Sequence, residues 1–210
     1  MINSKADFKS YLLADRSANS IEICGSVIFR IKRIISPDYI CNFLILLRKL
    51  EYIKNCKKSI WYILVYNYYL DFFRKLSLKL SFSIPLNVFG PGLSIPHCGT
   101  IIVNPAAKIG ENCRPHAGVN IGSSGGSNLA PKIGDNVYIG PGVILFGDIK
   151  IADNITIGAN AAVNISIEVE NTIVGGTPAK ILKNNTSVWW VKNRLNLEII
   201  NIIHKDSGII

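Results

Sequence analysis

The sequence predicts an α+β protein: a helical region over residues 1–80, a coil of short parallel strands over 81–183, and a helix or strap over 184–210. Three observations carry this. Apolar residues recur at three- and four-residue spacing before residue 81, whereas an aliphatic position recurs every six residues after it. Breakers change at the same place: Pro37 is the only one of nine prolines, and Gly25 the only one of 17 glycines, to precede Ser81. Charge divides there too, since residues 1–80 hold 14 Lys/Arg against 6 Asp/Glu and residues 81–210 hold 9 against 8.

In the helical region, segments 5–16, 19–35, 37–54 and 58–80 carry helical periodicity with few breakers. Pro37 and Asp38 suit a helix start. In the third segment Ile40, Phe43, Leu44, Leu47 and Leu50 share a face, with Arg48, Lys49 and Glu51 placed elsewhere. The fourth is rich in rings: Trp61, Tyr62, Tyr66, Tyr68, Tyr69, Phe72 and Phe73. Packing of those rings against the other helices or a neighbouring subunit is the plain expectation. The alternative is a basic, aromatic surface resting on a membrane or an anionic acceptor.

The second half repeats every six residues. One series runs Ile133, Ile139, Leu145, Ile151, Ile157 and Val163; another runs Val103, Ile109, Pro115 and Ile121; Phe89 and Ile95 begin a third. Four places after each stands a second small or apolar residue: Leu93, Ala107, Cys113, Val119, Val137, Val143, Ile149, Ile155, Ala161. Six matches neither a helix (3.6) nor an alternating strand (2). It fits a coil with three short sides, each sending one aliphatic inward, and glycine or asparagine easing corners that need positive φ. Three hexads make a turn, and turns stack at the strand spacing of about 4.8 Å. Two insertions interrupt the coil: two residues at Cys98–Ile102, just after His97, and the polar extrusion Ser123–Leu129. Loops leaving one face of such a solenoid commonly build its site.

Composition narrows the class. With 49% hydrophobic and 9% aromatic residues there is ample core, which excludes disorder. Five cysteines without a Cys-x-x-Cys pair argue against a disulfide framework or a structural zinc site and favour a reducing compartment. The amino terminus has no apolar secretory segment, and the longest uncharged apolar stretches, Ser59–Leu70 and Tyr39–Leu47, fall short of a membrane span of roughly 20 residues. The expectation is a soluble, cytoplasmic protein, with contact at the inner face of the membrane kept open. The basic charge comes with no nucleic-acid motif, so nucleic acid is not expected as a partner.

From Ile84 to Lys183 the chain resembles the serine acetyltransferase family of hexapeptide-repeat O-acetyltransferases, closest in character to members of polysaccharide biosynthesis. FGPGLSIPHCGTIIVNPAAKIGENC, PKIGDNVYIGPGVILFGDIKIADNITIGANAAV and the closing VGGTPAKI carry the resemblance. It implies a left-handed β-helix after a helical domain, trimers or dimers of trimers, and acetyl transfer from acetyl-CoA to a hydroxyl, with no metal. His97 falls where the family's catalytic base sits. Histidine suits the task because its pKa lies near neutrality and an alcohol must lose a proton to attack a thioester.

His116, one turn plus the insertion further on, is expected about 5–8 Å from His97 on the same face, orienting the acceptor or thioester, with a solvent-facing wall residue as the alternative. Positions carried over for acetyl-CoA are Gly122, Gly140, Ala159 and Gly176, small residues that let the pantetheine arm approach, with Lys132 and Lys180 for its phosphates. For each glycine, corner geometry is the competing explanation.

Departures concern the acceptor. Phe82 occupies the slot of the carboxylate that orients the base, Pro96 replaces the aspartate before it, and Leu129-Ala130 replaces the Arg-His pair that helps hold the amino acid. Asp15 and Glu51 of the helical region are candidates for the missing carboxylate. A sugar hydroxyl in surface-polysaccharide assembly is therefore the leading acceptor, with L-serine the alternative. A zinc hydratase on the same coil would need three histidines, and His204 in the tail leaves only two. A non-catalytic scaffold is a further alternative, against which stands His97 beside an insertion.

Overall fold

Side-chain caps start the first two helices. The computed structural model describes residues 1–20 and 37–184, within which α1 spans Lys5–Ala18, α2 Tyr39–Cys56 and α3 Ile60–Leu80. The Ser4 hydroxyl accepts from Asp7 N–H and the Asp38 carboxylate from Cys41 N–H, satisfying amide donors that a helix start leaves open. Each helix lies within two residues of its expected bounds. The helix expected over 19–35 lies outside the described residues except for Asn19 and Ser20, which close α1 in a turn. So does the strap expected over 184–210, apart from Asn184.

On α2, Phe43, Leu44, Leu47 and Leu50 are buried as the periodicity demands. Arg48 and Glu51, expected away from the core, are buried too, and this corrects the sequence reading. Arg48 Nε donates to Asp15 Oδ2 at 2.7 Å and Nη1 to Glu51 Oε2 at 2.9 Å. Nη2 also donates to Asp15 Oδ1 at 3.3 Å, and the other donors reach the carbonyls of Phe89 (3.0 Å) and Gly90 (2.6 Å). Asp15 Oδ1 accepts from the N–H groups of Gly92 and Leu93, both at 2.9 Å, and Glu51 Oε1 from Asn87 N–H at 2.7 Å. Burial works to lower the Arg48 pKa, but the two carboxylates outweigh it and hold the group above the ordinary arginine value. One satisfied ionic cluster thus ties α1 and α2 to the first turn of the coil.

The coil has three faces. The first is a parallel sheet of β1 (Phe82–Ser83), β2 (Ile101–Val103), β5 (Val119–Gly122), β8 (Ile144–Phe146) and β11 (Ala162–Val163). The second joins β3 (Lys108–Ile109), β6 (Lys132–Ile133) and β9 (Lys150–Ile151). The third joins β4 (Arg114–Pro115), β7 (Tyr138–Ile139), β10 (Thr156–Ile157) and β12 (Thr172–Gly175), closed by the antiparallel β13 (Lys180–Asn184).

Register reproduces the repeat. Ile133 pairs with Ile151, Ile139 with Ile157 and Leu145 with Val163, each 18 residues on. Phe89 pairs with Ile109, so the first insertion adds two residues; Ile109 pairs with Ile133, so the extruded segment adds six. Every inward position of the three aliphatic series, and each residue named four places after them, is buried. At one corner Asn112, Asn136 and Asn154 take positive φ (53°, 59° and 60°), and Asn112 and Asn136 each pass a side-chain hydrogen bond of 2.9 Å to the next asparagine. Asparagine tolerates this conformation and supplies a ladder down the corner.

α3 ends at Leu80, Ser81 turns with φ 62°, and β1 begins at Phe82, where the composition also changes. The core nevertheless continues across: Phe43 stacks on Phe73 at 4.9 Å and meets the Phe82 ring edge-on at 5.1 Å. On α3 itself, Phe73 and Leu80 are buried and Tyr66, Tyr69, Leu70 and Leu76 partly so. Trp61, Tyr62, Tyr68 and Phe72 remain exposed, so the helix packs its rings on one side only. That side is the stripe facing α2 and β1.

Candidate functional site

His97 ends the first coil turn and His116 follows β4 one turn later. Their ring centroids lie 6.1 Å apart with planes tilted by 57°, inside the expected range. The His97 loop is fastened to the end of α3: Gly99 N–H donates to the Leu80 carbonyl and Ile101 N–H to the Ser81 carbonyl, both at 3.2 Å. His97 itself is exposed, and no hydrogen bond to its ring is found among the described residues.

His116 is half-buried, with its ring 4.9 Å from that of Tyr138 and its backbone N–H donating to the Ile139 carbonyl at 3.0 Å. Among the described residues its Nε2 is buried without a hydrogen-bond partner. Burial lowers its pKa, and the nearby Arg114 and His97 charges lower it further. At neutral pH it is therefore an uncharged imidazole with an unused nitrogen beside an exposed one.

Asp15 and Glu51 do not serve this pair. Their carboxylates are consumed by Arg48 and by coil amides, deep between the helices and the first turn, which corrects the expectation that one of them faces the site. Phe82, in the slot of the orienting carboxylate, is a core residue edge-on to Phe43. Leu129 is exposed and Ala130 buried, and as apolar side chains neither carries a charge.

A cavity of about 510 Å³ opens between the end of α1, the start of α2 and the third face. Asn19, Asp38, Ser94, Pro96 and Arg114 line it; Pro96 precedes His97 in the chain, and the Arg114 charge is felt at His116. Arg114 was not singled out from sequence. The signal was present, because Cys113 and Pro115 are inward positions of the repeat and the residue between them must point outward. Its guanidinium is suited to a planar anion such as a carboxylate.

The positions expected to hold acetyl-CoA fall on different edges. Gly140 lies beside His116 in register, at the corner between the third and first faces, and Ala159 and Gly176 follow the third-face strands lower on that corner. Gly122 and Lys132 instead flank the extruded segment, where the chain passes from the first face to the second. Lys132 stands in register between Lys108 and Lys150 and lies 3.7 Å from Asp148; Lys180 opens β13.

The glycines differ in what they require. A Cβ at Gly140 would meet the Ile157 carbonyl oxygen at 2.8 Å, so the coil itself demands glycine there. Gly176 has φ +95°. Gly122 has neither constraint: its Cβ would find only Asn120 Oδ1 at 3.5 Å. The coil leaves its bareness unexplained, which fits a ligand passing close to the backbone.

No family model matches the chain. Over 98 residues it is 37% identical to the serine acetyltransferase of Staphylococcus aureus strain Mu50, a match covering 46% of each chain. Over 96 residues it is 38% identical to that of Staphylococcus epidermidis strain ATCC 12228, covering 45% of each. The match thus spans just under half the length of these curated relatives.

The solved serine acetyltransferase of Brucella abortus strain S19 superposes with a TM-score of 0.65 at 21% identity, covering 86% of this chain and 70% of that one. The soybean apoenzyme gives 0.65 at 23%, covering 85% and 70%. At these identities the likeness is one of fold: helices followed by a left-handed parallel β-helix. Sequence over the repeat and architecture over most of the chain therefore agree on the family resemblance.

Proposed function

We propose that this chain, whose repeat region is similar to serine acetyltransferases, is an acetyl-CoA-dependent O-acetyltransferase with His97 as general base. The pairing of an exposed imidazole with a half-buried, neutral one on the next turn carries this reading. His97 takes the proton of the acceptor hydroxyl as its oxygen attacks the thioester carbonyl, and returns it to the departing CoA thiolate. His116, uncharged and on the next turn, lies beside the base without competing for that proton.

For the acceptor, the similarity to enzymes named for serine favours L-serine over a surface polysaccharide. Arg114 beside the cavity supplies the cation for its carboxylate that Leu129-Ala130 lacks. The sugar reading rests on those two residues together with Pro96 and Phe82.

The groove for acetyl-CoA draws on two edges of the coil. A trimer, in which the Gly140 edge of one copy meets the Gly122–Lys132 edge of the next, brings them together and is the assembly we propose. We place the enzyme in the cytoplasm, where acetyl-CoA is made.

Thiol release from acetyl-CoA tests the reading, with L-serine and a panel of sugars as acceptors. Release that depends on an acceptor supports it, and the acceptor that works decides between serine and sugar. No release with any acceptor overturns it in favour of a scaffold.

A further inference from the structure

α3 carries two apolar stripes side by side, with the Tyr68 and Tyr69 rings 5.4 Å apart across their boundary. Tyr66, Tyr69, Phe73, Leu76 and Leu80 face α2 and β1. The other stripe, Ile60, Trp61, Leu64, Tyr68 and Phe72, is bare; Ile60 and Trp61 are 72% and 73% exposed, and Leu78 nearby is 82% exposed. A helix lying on a protein surface ordinarily turns polar residues outward. A continuous exposed patch of this kind marks an interaction site.

The charges around the stripe say what it meets. Lys57 and Lys58 precede it, and Arg74, Lys75 and Lys79 follow along the helix. Lys57 Nζ lies 5.3 Å from the Tyr62 ring and Lys75 Nζ 5.7 Å from Phe72, so cations flank the aromatics. Asp71 is the only acidic residue between Glu51 and Glu111, and it is bonded to Lys75 at 2.7 Å.

Two copies of this face would set like charges against each other. An anionic bilayer is complementary to it: rings and aliphatics enter the headgroup boundary while ammonium and guanidinium groups meet lipid phosphates. Among the described residues no helix is long and apolar enough to cross a membrane, so the contact is one of lying on the surface.

We propose that α3 is a docking helix that holds the protein on an anionic lipid surface. The Leu80 carbonyl at its end receives the Gly99 N–H, so a docked helix carries the His97 loop with it. Docking does not rest on acetyl transfer and is tested apart from it.

The test is flotation of the full chain with vesicles of phosphatidylglycerol and phosphatidylethanolamine, against vesicles of phosphatidylcholine alone. Binding at least tenfold stronger to the anionic vesicles is expected. It should fall at least tenfold in a Trp61→Ser, Leu64→Ser variant, and also in a Lys57→Gln, Lys58→Gln variant or at high salt. Both pairs are surface changes, so the melting temperature and thiol release with soluble acceptors should stay as in the parent. Equal binding to both vesicle types, no flotation, or undiminished flotation of the serine variant overturns the proposal. So does a drop in molecular mass of that variant by sedimentation, which would make the stripe a contact between copies.

Discussion

His97 and His116 meet across adjacent turns of the coil, 6.1 Å between ring centroids, one exposed and the other with its Nε2 buried and unpartnered among the described residues. Two imidazoles this close favour at most one positive charge. Burial lowers the His116 pKa and so favours its neutral form.

A pH titration follows from that. The His116 pKa is lowered on folding, so below the ordinary histidine value of about 6.5 the unfolded chain binds more protons than the folded one. The contribution of this group to stability is therefore complete above about pH 6.5 and lost progressively as pH falls below it. Proton NMR of the ring hydrogens should show His116 titrating below the ordinary value. Arg114→Gln should move the titration upward, because one of the cations that lowers it is gone. A midpoint at or above the ordinary value would contradict the buried, neutral assignment.

Arg114 has a second consequence. If it anchors a carboxylate acceptor, Arg114→Gln should raise KM for L-serine at least tenfold, losing one charge-assisted hydrogen-bonding partner. KM for acetyl-CoA should stay nearly constant. Equal effects on both substrates would remove Arg114 from the acceptor side.

Two glycine substitutions should behave differently. Gly140→Ala places a methyl 2.8 Å from the Ile157 carbonyl oxygen and should lower the melting temperature through strain of about 1–3 kcal/mol. Gly122→Ala meets nothing closer than 3.5 Å and should fold normally. Its cost should appear instead as a raised KM for acetyl-CoA. An unaltered KM in the Gly122 variant would take that position out of the groove.

The Arg48 cluster gives a stability prediction. Arg48→Ala leaves Asp15 and Glu51 buried without their cation and should cost about 3–5 kcal/mol in denaturant unfolding. Replacing all three residues by apolar ones of similar size should cost much less, since burying the charges is itself unfavourable. A loss under about 1 kcal/mol for Arg48→Ala would mean that water reaches the cluster.

The coil was readable because each hexad must send one aliphatic inward, so the spacing of Ile133, Ile139 and Leu145 alone announces three faces. The His97–His116 approach was readable for the same reason, as an interval of one turn plus an insertion. Burial of Arg48 was not, because periodicity counts a charge as outward, and its partner Asp15 lies 33 residues away. Nor could spacing say which stripe of α3 would be covered, since both are apolar and only the position of α2 decides. Gly122 and Gly140 look alike in the repeat; their difference lies in the neighbouring strand, which leaves room at one and none at the other.

The measurement closest to the central claim is acceptor-dependent thiol release from acetyl-CoA by the parent protein and by His97→Ala. The variant should keep its melting temperature and assembly and lose at least 100-fold in turnover, because general-base catalysis contributes about 10²–10⁴. Near-normal turnover in a folded variant would contradict His97 as the base.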